Sequence, residues 1–79
     1  MDGLIGGRIV HYIISTQRGN PVVRPAMVVR VVNQKKGICN LQVFHEKSDG
    51  FELASADKPT NCEFSEEKTT GTWHWPPRG

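Results

Sequence analysis

The chain has 79 residues, 37% of them apolar, and a formal net charge of +2, which suits one small domain (residues 1–79) with a single marginal core. Mean hydropathy is −0.44. No apolar run approaches the roughly 20 residues of a membrane-spanning helix, and no basic region followed by an apolar stretch marks a secretory signal; the expectation is therefore a cytoplasmic protein. The charge is unevenly spread. Residues 1–44 hold six bases and one acid, for +5, while residues 45–79 hold four bases and seven acids, for −3. Such polarity either neutralises itself within the fold or between subunits, or leaves an electropositive face for an anionic ligand.

In chain order the pattern is β throughout. Residues 1–7 contain three glycines and predict a loose lead-in. Residues 8–15 (RIVHYIIS) are rich in β-branched side chains and predict a strand. Ile9, His11 and Ile13 fall on one face; Val10, Tyr12 and Ile14 fall on the other. Two apolar faces suit the middle of a sheet or a subunit contact. Residues 16–25, with Gly19, Asn20, Pro21 and Pro25, predict an irregular loop. Residues 26–33 (AMVVRVVN) predict a second strand, with Met27, Val29 and Val31 opposite Val28, Arg30 and Val32. Residues 34–37 end in Gly37, as a hairpin link should.

Residues 38–44 (ICNLQVF) alternate cleanly, with Cys39, Leu41 and Val43 inward and Asn40 and Gln42 outward. Residues 45–61 form a loop long for so small a domain. A short strand over 62–65 would bury Cys62 and Phe64, a turn occupies 66–71, and 72–75 form a last strand before the tail 76–79. The expected fold is all-β: a small SH3-like barrel or a strongly curved antiparallel sheet of four to five short strands, which limits exposed edges.

Both tryptophans, with His74 between them, lie in the stretch Thr70-Gly71-Thr72-Trp73-His74-Trp75-Pro76-Pro77. An unanchored end cannot repay the entropy of ordering large aromatics, so this segment is expected to dock. At strand spacing Trp73 and Trp75 share a face and His74 takes the other. The indoles then serve as core, as subunit contact, or as a stacking platform for a planar base. Arg24 is presented by a proline-stiffened loop. Arg30, inside an apolar strand, must reach solvent, an acid such as Glu63, or an anion; guanidinium suits phosphate. His11 and the carboxylate of Asp49, in a Ser48-Asp49-Gly50 turn, complete the candidate ligand-binding residues.

Cys39 and Cys62 are expected as reduced thiols. His11, Cys39, His45, Cys62 and His74 are scattered, without the paired spacing of a structural zinc site, so neither metal nor cofactor is expected. No nucleophile motif, paired-histidine motif or phosphate-binding loop occurs, and the chain reads as a non-enzyme.

The ordered set His11-Tyr12, Arg24-Pro25-Ala26-Met27-Val28-Val29, Asn40-Leu41-Gln42-Val43-Phe44, Ser48-Asp49-Gly50 and Thr70-Gly71-Thr72-Trp73-His74-Trp75-Pro76 resembles a family of short uncharacterised bacteriophage and prophage proteins. The resemblance spans most of residues 11–76 and implies a phage accessory protein acting in the host cytoplasm; it implies no particular chemistry. Together with the tryptophans and arginines, it leads to the expectation of an oligomeric protein that sequesters a nucleotide-like anionic ligand, such as a host immune signal. The alternatives are a protein-interaction module that inhibits a host protein, and a small nucleic-acid-binding barrel. The net charge of +2 weighs against nucleic acid, where phosphate contacts dominate affinity.

Overall fold

The computed structural model describes residues 1–15, 21–44 and 58–77. It is all-β, with no helix among the described residues. Strand β1 is Ile9–Ser15, β2 is Pro21–Asn33, β3 is Ile38–Val43 and β4 is Trp73–His74. They form one antiparallel sheet in the order β3-β2-β1-β4. Its inner face is made by alternation. On β1, Val10 and Ile14 turn inward with Tyr12 beside them; Ala26 and Val28 of β2 join Cys39, Leu41 and Val43 of β3 in the same cluster.

The described strands do not close into a barrel; of the two expected forms, the curved antiparallel sheet is the nearer, as an open sheet with bridged edges. Residues 59–65 run between the two edge strands. Cys62 forms a single antiparallel bridge with Cys39 of β3, and Phe64 forms a single parallel bridge with Trp73 of β4. Leu41 N–H also donates to the Pro59 carbonyl at 3.0 Å, and Trp73 N–H to that of Glu63 at 3.0 Å. The predicted strand over 62–65 is thus reduced to isolated bridges, and the last strand to two residues.

The largest departure lies in β2. Residues 21–25, expected as loop, are strand, paired from Ser15↔Pro21 to His11↔Pro25. In a strand a residue's N–H and C=O point the same way. The Pro25 carbonyl accepts from Phe44 N–H at 3.0 Å, on the side away from β1. The missing donors of Pro25 and Pro21, four residues apart, therefore both face away from β1 and cost that ladder nothing. Residues 16–20 and 45–57 lie outside the described residues, as does most of the expected long loop.

Two register irregularities, between Val28 and Arg30 and between Val31 and Asn33, interrupt the β2–β3 pairing. Each inserts an unpaired residue, Val29 and then Val32, and bends the strand. Strict alternation therefore fails: Val28 and Val31 both pack on the core, whereas Val29 and Arg30 are both exposed.

The lead-in is docked rather than loose. Leu4 is 0% exposed within the core, Gly7 N–H donates to Val28 O at 2.7 Å, and the terminal ammonium donates to Gln34 O at 2.8 Å. The 34–37 link is closed by an Asn33 side chain accepting from Lys36 N–H at 3.0 Å and by Gly37 at φ 70°.

Candidate functional site

Trp73 belongs to the core. It lies opposite Tyr12 on β1, is 0% exposed, and its indole Nε1 donates to the Gly37 carbonyl at 2.8 Å. Phe64 and Trp75 each meet it edge-to-face with ring centroids 5.0 Å apart. That geometry suits aromatic packing and leaves no face for a ligand. Of the two indoles expected as a platform, only Trp75 remains partly exposed.

Trp75 stands between two hollows. One, of about 340 Å³, is lined by Asp2, Arg8, Trp75 and Pro76. The other, of about 210 Å³, is lined by Phe64, Glu66, Lys68, His74 and Trp75. Arg8 precedes β1, and its guanidinium carbon lies 5.4 Å from the Trp75 ring centroid, a cation–π distance. Gly3 runs beside the ring at ordinary contact distance, and its φ of 82° is the left-handed geometry that favours glycine there. Lys68 holds φ 61°, a left-handed geometry uncommon for a side-chain-bearing residue, on the rim of the second hollow.

His11 and His74 are paired across β1 and β4, on the sheet face opposite Trp73. Their rings meet perpendicularly with centroids 5.7 Å apart. His74 is 6% exposed, and its Nδ1 is buried without a hydrogen-bond partner among the described residues. Burial, reinforced by the positive charge of Lys68 and by His11, holds its pKa below the ordinary histidine value, so the ring is neutral near pH 7.

The remaining predicted residues do not join this site. Arg24 pairs with Tyr12 in register and donates to the Val23 carbonyl at 3.2 Å, two strands away from Trp73. Arg30 lies opposite Asn40 and reaches solvent through the shift at Val29. Asp49 lies outside the described residues. Conversely, Arg8, Asp2 and Lys68 carried no local signal of their own. Arg8, two residues before Val10, falls on the face of β1 that Val10 and Tyr12 occupy, and the pairing of β4 with β1 brings Trp75 to it.

Among the described residues no three His, Cys, Asp or Glu side chains converge on a metal-sized site. No described helix is long and apolar enough to cross a membrane. Comparison of the chain with protein-family models, curated proteins and solved structures finds no match.

Proposed function

We propose that this is a non-catalytic binding protein that holds a small nucleotide-like anion at Trp75, as a phage accessory factor would sequester a host signal. The observation that carries the reading is the Arg8 guanidinium set over the partly exposed Trp75 indole, with a hollow on either side. The cation is oriented by the ring yet exposed, so its planar donors stay available to a phosphate or carboxylate. Lys68 supplies a second cation from the other hollow. Asp2 supplies a carboxylate that can accept hydrogen bonds from a base or ribose. Binding of this kind needs placement and charge, with no proton transfer.

The test is calorimetry of the purified chain against a panel of cyclic and linear nucleotides. Binding of at least one is expected, weakened roughly 5- to 150-fold in Trp75→Ala if the lost contact resembles stacking on an aromatic side chain, and weakened again in Arg8→Ala. Arg8→Ala should melt within a few degrees of the parent, while Trp75→Ala loses its edge contact with Trp73, melts lower, and is titrated well below its own melting temperature. Absence of heat across the panel with the parent chain would sink the reading.

A second reading is favoured by the outer face of the sheet. Ile9, Val23, Met27 and Phe44 are 43%, 41%, 38% and 47% exposed there, and Ile9 and Met27 are direct partners in register. A face of this character suits a protein partner or a second copy of the chain. Light scattering separates the two: a mass above one chain at micromolar concentration supports self-association, and Met27→Lys should return it to one chain.

A further inference from the structure

Both cysteines lie outside the proposed site, yet the fold sets them opposite one another. Cys39 of β3 and Cys62 form an antiparallel bridge and exchange both backbone hydrogen bonds, at 3.1 and 2.8 Å. Residues paired in that way hold their Cα atoms about 5.5 Å apart, as disulfides favour. Their Cβ atoms stand roughly 1 Å wider than a closed bond holds them, so closure includes a small twist of the Cys62 segment against β3. Both side chains turn into the same core cluster, at 0% and 3% exposure, and both are free thiols.

We propose that Cys39 and Cys62 are a reversible redox pair, closing to an intramolecular disulfide by exchange with a small-molecule disulfide of the oxidised-glutathione class. One cysteine, as thiolate, attacks a sulfur of the external disulfide and expels one small thiolate. The second cysteine, deprotonated in turn, attacks the protein sulfur of that mixed disulfide and expels the other. Two protein S–H bonds become one S–S bond, and the electron pair and both protons end on the two released thiols.

The geometry also sets the pace. Burial pushes the Cys39 thiol up to about 12 and the Cys62 thiol up to about 11, the latter eased by the Tyr12 hydroxyl beside it. Thiolate is the attacking species, so exchange waits for residues 59–62 to lift from β3. Those residues are held there by the Cys39–Cys62 bonds, by Leu41 N–H on Pro59 O, and by the Asn40 side chain accepting from Asn61 N–H at 2.9 Å. Once closed, the bond fastens to β3 the segment that carries Phe64, Glu66 and Lys68, the wall of one hollow beside Trp75. The pairing stands independently of what that hollow binds.

The experiment equilibrates the intact chain with buffers of graded reduced-to-oxidised glutathione ratio, quenches with acid, alkylates free thiols and reads the intact mass. The expected result is a monomer lacking two hydrogens, restored by reductant, melting roughly 10 °C or more above the reduced form, because a 24-residue loop is closed in the unfolded chain. Cys62→Ser should show neither change. Two alkylatable thiols under excess oxidised glutathione, persistent mixed disulfides, or only intermolecular dimers would each overturn the proposal. So would a closed bond that lowered the melting temperature, since it would lie outside the native pairing. The mass is read on the parent chain and does not depend on whether a variant folds.

Discussion

Gly37 combines a left-handed φ of 70° with a carbonyl that accepts the Trp73 indole N–H and with no room for a side chain. A Cβ there would meet Met1 Cε at 2.8 Å and Phe64 Cβ at 3.1 Å. The left-handed conformation alone costs an L-residue roughly 1–2 kcal/mol, and Phe64 is pinned against Trp73. Gly37→Ala is therefore expected to lose about 2 kcal/mol or more in a denaturant titration; a loss under about 0.5 kcal/mol would show that the hairpin relaxes freely. Trp73→Phe removes the donor and leaves the Gly37 carbonyl unpaired, for a loss of about 1–3 kcal/mol in addition to the lost packing. Core loss would then dominate any effect on binding, and Trp75 is the position at which the two can be separated.

The strands show how far alternation can be read. Over β3 the sequence suffices, since six residues alternate and Cys39, Leu41 and Val43 are buried. Over β2 it does not, for two separate reasons. Proline reads as a breaker because its missing N–H is visible in sequence, while the direction in which it would have pointed is set by the neighbouring strand. Unpaired Val29 looks like any other valine in the run, and its insertion decides whether Arg30 faces core or solvent. The candidate site was legible only in its aromatic half: Trp75 and His74 stood out by composition, whereas Arg8 and Lys68 were brought to them by long-range pairing. A direct check follows from the proline geometry. Pro25→Ala restores a donor on the side away from β1 and should change stability by no more than about 0.5 kcal/mol. Val22→Pro removes a donor facing Ile14 across the ladder and should cost about 3 kcal/mol or more. Similar losses for both would refute the assigned register.

Across the whole molecule, the buried titratable groups define a pH window. His74 is held below its ordinary value, so the unfolded chain takes up a proton first as pH falls, and stability declines below about pH 6.5. The decline is at most about 1.4 kcal/mol per pH unit for one proton. At the other end Cys39, Cys62 and Tyr12 are raised, to about 12, 11 and 12. There the unfolded chain loses protons first, and stability falls as pH climbs from about 9 towards those values. The melting temperature should therefore peak between about pH 6.5 and 9. His74→Phe should flatten the acid limb while leaving the alkaline limb in place, and an acid limb unchanged in that variant would move its origin to another group.

Because residues 59–65 reach the free side of β3 while residues 71–73 cover that of β1, the one stretch from 59 to 73 guards both flanks of the sheet. It also leaves the ribosome after both of those strands. Until it emerges, β1 and β3 each present a row of unanswered amides and carbonyls, the arrangement that invites strands from neighbouring molecules to add on. Premature termination in this protein would therefore yield something worse than a weaker fold: a template for polymer growth.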